Sequence, residues 1–412
     1  MSVSANLKSD FTFAGSPDIL RSMTQYIPRA IEKRLKDAVS QFPVVLITGP
    51  RQAGKSTLLQ HALPDYKYVT LDDPLVRALA TNDPELFLST YKSPVIIDEI
   101  QYAPNLFSYL KLHVDRNRSK YGQYVLTGSQ TFQLMKGVSE SLAGRIAILQ
   151  LYPLSWSEIA KSPKDDQVCV EQMIQGFYPE LSAGPKKDQN LWYSSYVATY
   201  LERDVRNLKA ITDLNRFQTF LSLIAVRAGQ LLNMSEIAKE CGISEPTVKD
   251  WLTILQATYV IFLLQPYYNN VTKRLVKSPK VFFVDTGLLC YLLGIDTPDR
   301  FRKASERGHI FENMVIAECV KQAAQRTERS EFYFYRTADS VEVDLIWVRS
   351  GKPSAYEIKW SKTLDRQMAQ PMVTLLKDHR MEDTKVLSLH ENDVPLMDGV
   401  TGSHWSSILK GE

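Results

Sequence analysis

At 412 residues, with 44% of them hydrophobic, the chain exceeds the size at which one hydrophobic core stops growing, so several domains are expected. A net charge of +3 is too small for composition alone to point to nucleic acid, and any basic surface has to be local. No apolar run approaches the roughly 18 residues of a membrane span, and residues 1–10 lack the basic and apolar segments of a secretory signal. The four cysteines, Cys169, Cys241, Cys290 and Cys319, stand far apart with no C-x-x-C spacing, which argues against a cysteine metal site and fits a reducing compartment. A cytoplasmic protein with buried or incidental cysteines is expected.

Residues 1–20 are polar and serine-rich and read as a flexible tail. Helical spacing of apolar residues follows from Tyr26, and then comes a β-branched run, Val44-Val-Leu-Ile-Thr48, that breaks into Gly49-Pro-Arg-Gln-Ala-Gly-Lys-Ser-Thr57. This is G-x-x-x-x-G-K-[ST] in its required setting, strand before and helix after. Gly49 and Gly54 let the backbone of Pro50, Arg51, Gln52 and Ala53 curl its N–H groups toward phosphate, with the following helix adding the positive end of its dipole. Lys55 is expected at the β and γ phosphates, the Ser56 hydroxyl on Mg²⁺, and Thr57 beside it.

Farther along, Ser93-Pro-Val-Ile-Ile-Asp-Glu-Ile100 is an apolar strand ending in two carboxylates. Asp98 there suits Mg²⁺, and Glu99 suits the base that polarises the attacking water, which points to hydrolysis rather than binding alone. The alternative is a cap for the next helix. A strand at 124–127 ends in Thr127 and Ser129, either of which could sense the γ-phosphate. Arg145 precedes the last core strand, where a guanidinium could reach a neighbouring subunit's γ-phosphate; a solvated arginine is the alternative. Strands at 44–48, 68–71, 95–98, 124–127 and 146–151 with helices between them make residues 21–160 a parallel α/β core covered on both faces. Residues 161–228 read as helices, a lid.

Together Gly49-Pro-Arg-Gln-Ala-Gly-Lys-Ser56, Asp98-Glu-Ile-Gln101, Leu126-Thr-Gly-Ser129, Leu142-Ala-Gly-Arg145, Tyr152-Pro-Leu-Ser155 and Tyr200-Leu-Glu-Arg-Asp-Val-Arg-Asn-Leu208 resemble a family of bacterial and archaeal AAA+ ATPases. In that family the core is followed by a domain of unknown function 4143. The resemblance runs from about residue 29 to about residue 390. It implies an AAA+ fold, ATP with Mg²⁺ and assembly into homo-oligomers, and it says little about substrate.

Residues 234–255 form two amphipathic helical patterns joined at Gly242, with Ser235 and Ser244 as expected N-caps and Ala238, Ile243, Val248 and Leu252 spaced to pack the pair. Strands at 259–265 and 280–284 around a basic loop complete a winged-helix pattern over 229–295. Thr247, Lys249 and Thr253 would face a DNA groove, while Lys273, Arg274 and Lys277 would meet phosphates. The alternative is a protein-binding winged helix, with Glu245 and Asp250 repelling DNA.

Over 296–412 the order is a helix at 309–325, strands at 331–336, 341–348 and 355–360, a helix at 364–379 and a strand at 384–389. Glu312 lies on the first helix, Asp344 in the middle strand, and Glu357 and Lys359 on one face of the next. This D…E-x-K set resembles the PD-(D/E)XK nuclease fold, a restriction-endonuclease-like α/β domain, in which the carboxylates hold Mg²⁺ and the lysine orients water. A degenerate fold kept for binding, or a buried ion-pair cluster, is the alternative. The sequence thus reads as an ATP-hydrolysing machine that binds and remodels DNA, branched DNA among the candidates. Its rivals are a nucleotide switch binding protein partners, an ATP-regulated Mg²⁺-dependent nuclease, and a small-molecule kinase, the last disfavoured by Glu99 and Arg145.

Overall fold

The computed structural model describes residues 26–128, 135, 137–138, 140–159, 161–183, 187–201, 213–267 and 278–409. The expected tail, Ser129, and the loop lysines and arginine at 273, 274 and 277 lie outside the described residues. Strands β1 (Val44–Thr48), β2 (Lys67–Thr70), β3 (Val95–Asp98), β4 (Tyr124–Gly128) and β5 (Ile146–Gln150) form one sheet in the order β2-β3-β4-β1-β5. Every pairing in it is parallel. The inner strands β1, β3 and β4 are buried at each position, whereas β2 and β5 at the edges are partly exposed. This is why the inner strands read as unbroken apolar runs: separate hydrophobic clusters pack on their two faces.

Leaving β1, the chain crosses to the far edge at β2 and then fills the gap with β3 and β4. Their carboxyl ends therefore converge beside the loop that follows β1, the place where open α/β sheets bind ligands.

A second sheet holds β6 (Ile261–Pro266), β7 (Lys280–Phe283), β8 (Ser330–Arg336), β9 (Glu342–Arg349), β10 (Lys352–Ile358), β11 (Asp383–Ser388), β12 (Val394–Met397) and β13 (Val400–His404). Its order is β12-β13-β11-β10-β9-β8-β6-β7. The hairpin β6–β7 follows helices Met234–Cys241 and Glu245–Ala257, which Gly242 joins in the left-handed conformation its missing Cβ permits. β6 also pairs with β8, through Gln265 with Tyr333 and Pro266 with Phe334, so one sheet runs across residues 295 and 296.

Several local expectations are corrected. Asn233, not Ser235, caps the first of these two helices, its Oδ1 accepting from the Glu236 N–H at 3.3 Å, while Ser235 lies inside and donates to it. Ser244 caps the second as expected. The helix expected at 364–379 is a 3₁₀ turn, Arg366–Ala369, followed by an α-helix, Gln370–Asp378, because Pro371 fits only the first turn. β12 and β13 escape the sequence pattern because they are short and Pro395 interrupts the first.

One continuous core runs from Leu154 to Ile408, so the helices of 161–228 share their interior with the second sheet. All four cysteines are buried. The helix Arg307–Gln325 ties the segment that follows β5, and through Arg34 the layer of the first sheet, to this interior. Its Glu318 carboxylate accepts from the Trp156 N–H at 3.0 Å, Lys321 donates to the Leu154 carbonyl at 3.0 Å, and Arg34 donates to the Ala324 carbonyl at 2.6 Å. Among the described residues no helix is long and apolar enough to cross a membrane.

Candidate nucleotide site

A side chain at Gly49 would overlap the Leu151 carbonyl, so the turn out of β1 admits only glycine. Gly54, at φ +86°, opens the helix Lys55–Ala62. Lys55 is buried and lies across the loop, its ammonium donating to the carbonyls of Gly49 (3.1 Å) and Pro50 (2.9 Å). The loop is thus folded in advance around its own lysine.

Asp98 ends β3 at the same edge. Ser56 donates to its Oδ2 at 2.7 Å, Tyr68 from β2 donates to the same oxygen at 2.5 Å, and Thr127 from β4 donates to Oδ1. Three hydroxyls on three elements orient one carboxylate. Burial, and then the Asp98 contact, raise the Tyr68 phenol above its ordinary range, so it stays a donor. Thr127, read from the sequence as a phosphate sensor, is at the expected edge but bonded to Asp98, and it also accepts from the Glu99 N–H at 3.3 Å. Glu99 is held at φ +57°, an uncommon state for a glutamate, and Gln101 donates to its carboxylate.

Beneath the loop sits Arg29, buried, which sequence reasoning missed. It donates to the Ala53 carbonyl (2.8 Å), the Tyr152 carbonyl (2.8 Å) and Glu158 (3.1 Å). A second unforeseen contact comes from the other half of the chain. Tyr259, at φ +58° between helix Glu245–Ala257 and β6, lies 2.8 Å from the Thr48 hydroxyl at the end of β1, with the Tyr152 ring edge-on to its own at 5.7 Å.

Arg145 is not brought to this site. Its carbonyl accepts from the Val44 N–H, so it stands at the amino edge of the sheet, a strand length or about 16 Å from the loop. There its guanidinium grips Asp115 with two bonds, 2.6 and 3.0 Å. It cannot reach the nucleotide loop of its own chain.

Residues 41–160 match the model of an AAA domain, residues 167–299 that of a domain of unknown function 8612, and residues 307–407 that of the domain of unknown function 4143. An uncharacterized protein of Mycobacterium tuberculosis is 32% identical over 377 residues, covering 91% of this chain and 83% of the relative. The chain belongs to the AAA-domain ATPase family that carries domain 4143. A more distant relative, an uncharacterized protein of Haemophilus influenzae, is 22% identical over 73% of this chain and 79% of its own length. Among solved structures, a Walker-type ATPase of Pyrococcus abyssi aligns with a TM-score of 0.43 at 15% identity, over 65% of this chain and 96% of that one. AMPPCP-bound DnaA from Aquifex aeolicus aligns at 0.27 and 15%, over 55% and 85%. As a P-loop ATPase of this family, the protein is a nucleotide-binding one.

The ATPase carries two further groups of interest. On helix Glu245–Ala257, Lys249 and Thr253 are exposed, flanked by exposed Glu245, while Thr247 is half-buried and bonded to Ser244. The second group does gather as the sequence expected. Glu312, Asp344 and Glu357 are all buried, and Lys359 lies 2.5 Å from Glu357 and 3.5 Å from Asp344. Lys280, His309 and Glu342 join them without having been foreseen. Lys280 is buried between Glu312 (3.4 Å) and Glu342, and His309 lies 3.6 Å from Glu312. A signal existed, since a lysine opening an apolar strand, Lys280-Val-Phe-Phe283, has to find a buried partner.

Burial, then the neighbouring Asp344 charge, pushes Glu357 up to about 8, and burial, then Glu312, pushes Asp344 up to about 6. Lys359, half-buried beside both, lowers each but does not outweigh burial. Burial alone would raise Glu312 as well, but Lys280 and His309 outweigh it and hold that carboxyl low.

From the ordinary value of 4.5 up to about 8, folded ATPase keeps a Glu357 proton that the unfolded chain has released. Stability should therefore fall as pH rises through that window. Urea midpoints read from about pH 5 to about pH 8 should decline in the wild type, and the decline should shrink in Glu357→Gln. Equal slopes in the two proteins would place the proton elsewhere.

Proposed function

We propose that this ATPase hydrolyses ATP with Mg²⁺ as a homo-oligomer and uses the cycle to move a DNA-binding module, so as to bind and remodel DNA. The observation that carries the reading is Tyr259. It stands between the helix Glu245–Ala257, one face of which is exposed at Lys249 and Thr253, and β6, and it bonds the last residue before the nucleotide loop, so a shift of that loop on phosphate binding reaches the helix directly.

In the proposed cycle Lys55 leaves the loop carbonyls for the β and γ phosphates, and Glu99 polarises the attacking water. Ser56 and Asp98 have the donor chemistry to hold Mg²⁺, which neutralises phosphate charge when bound. Arg145, out of reach of its own loop, serves the neighbouring subunit after leaving Asp115. Lys249 and Thr253 face the DNA, with Lys273, Arg274 and Lys277 on its phosphates.

The test is the ATPase rate with and without single-stranded, duplex and branched DNA, together with DNA affinity titrated across salt. At least one form should stimulate turnover. Joint replacement of Lys273, Arg274 and Lys277 by alanine should weaken binding and flatten its salt dependence by up to about three charges, with sequence preference little changed. No stimulation by any form, and binding unaltered in the triple variant, would turn the reading toward a protein partner.

A further inference from the structure

The segments that lead into the five strands of the first sheet are knitted into one ledge along its amino edge. The Lys67 N–H donates to the Pro94 carbonyl at 3.3 Å, Val95 to Gln123 at 3.2 Å, Gly122 to Phe42 at 2.9 Å and Val44 to Arg145 at 3.2 Å, so each segment is tied to the next in the order β2-β3-β4-β1-β5. Gln123 is buried, and its side-chain amide donates to the Asn117 and Lys120 carbonyls at 3.1 and 2.8 Å, which fixes the loop after helix Leu106–Arg116 as well. Four strand spacings of about 4.8 Å make the ledge about 19 Å long.

The ledge is basic and it presents rings. Lys36, Lys67, Lys92, Arg118 and Lys120 are exposed there, Lys111 is half-buried, and none of them forms an ion pair among the described residues. Of the carboxylates nearby, Asp115 is engaged by Arg145 and Glu85 by Arg116 and His113, which leaves Asp37, Asp65 and Glu140 exposed. The Arg145 bond, with Arg118 and Lys111 adding to it, holds the Asp115 carboxyl below its ordinary range, so these cations stand together. Phe42 and Tyr121, on neighbouring lead-in segments, are 37% and 52% exposed. Cations that meet phosphates beside rings on which bases stack are what a single nucleic-acid strand requires, whereas an acidic polypeptide would engage the cations and offer the rings no base. We propose that this ledge is a contact for a single strand, with phosphates on Lys92, Arg118 and Lys120 and a base on Tyr121. The inference rests on the proposed function for nucleic acid as the partner, but it uses another surface, on the far side of the sheet from the nucleotide loop.

The probe is a fluorescent oligothymidylate, bound by the full chain and titrated across salt with ADP and Mg²⁺ saturating, so that its phosphates do not occupy the nucleotide loop. Lys92→Ala/Arg118→Ala/Lys120→Ala should weaken binding and flatten the salt dependence by up to about 2, roughly 0.7 for each of three phosphates on a single strand. Tyr121→Ala should weaken binding roughly fivefold or more, the loss that goes with one stacked base, and leave the salt dependence unchanged.

Both losses should persist when Lys273→Ala/Arg274→Ala/Lys277→Ala is added, so a silent loop variant tells against DNA on the winged helix and leaves the ledge standing. Polyglutamate, the probe for an acidic protein partner, should bind more weakly and be indifferent to Tyr121→Ala. Oligothymidylate binding that is equal in the wild type and both ledge variants would overturn the assignment. So would a wild type that binds no single strand, or polyglutamate bound as tightly as the oligonucleotide and as sensitive to Tyr121→Ala.

Discussion

Replacement of Glu99 by glutamine should leave ATP binding intact and slow hydrolysis by roughly 10²- to 10⁴-fold, the range lost with a general base. Glu99 follows Asp98 by one residue, and its backbone is held in a left-handed conformation that turns it out of the strand beside Thr127. Glutamine keeps the shape and the Gln101 contact but accepts no proton. Lys55→Ala should instead abolish nucleotide binding, since the loop loses both its phosphate cation and the ammonium that bridges two of its carbonyls. Single-turnover hydrolysis beside a fluorescent-nucleotide titration separates the two cases, and a fully active Glu99→Gln protein would remove Glu99 from the chemistry. Mixing Glu99→Gln with Arg145→Ala, each inactive alone, should restore part of the activity if the arginine works across a subunit boundary. No recovery between variants that both assemble would leave Arg145 a partner of Asp115 only.

Loss of Arg29 should be nearly as severe, through stability rather than chemistry. Arg29→Met takes away a buried guanidinium that holds the Ala53 and Tyr152 carbonyls and pairs with Glu158, itself buried. Breaking one side of a buried ion pair costs about 3–5 kcal/mol, more than the pair contributes over an apolar substitute of both partners. The urea midpoint of Arg29→Met should drop accordingly, and nucleotide affinity should drop with it because Ala53 lies within the loop. Arg29→Met/Glu158→Gln should recover part of the stability, since no lone charge is left behind. A cost below about 1 kcal/mol for the single variant would show the contact to be ordinary surface chemistry.

The phosphate loop was legible in the sequence because its demands are local: two glycines, a lysine and a hydroxyl within nine residues, flanked by a strand and a helix. Asp98 and Glu99 were legible for the same reason, as were Glu357 and Lys359, whose shared face follows from alternation along a strand. What escaped depends on pairing between distant segments. Tyr68 reaches Asp98 only because β2 lies next to β3 in the sheet, and Arg29 reaches Ala53 only because the residues before Glu32 pass beneath the loop. Arg145 precedes a strand, and in a parallel sheet that alone sets it at the amino edge, away from the loop that follows β1. The bond from Thr127, one of two residues read as able to sense phosphate, to Asp98 was not legible, because the distance between strands β3 and β4 is not written in either.

The bond between β6 and β8 bears on how the protein can be taken apart. A chain shortened to end at residue 295 would keep the helix pair and its hairpin but leave the β6 edge at Gln265 and Pro266 without its neighbour, and the core from Leu154 to Ile408 cut through. Bare strand edges recruit strands from other chains, so such a fragment would tend to self-associate through a surface the whole protein never presents. The smallest piece of the C-terminal half with a closed interior begins near Leu154. Its natural separation point lies just after β5, far upstream of the boundary at residues 295 and 296.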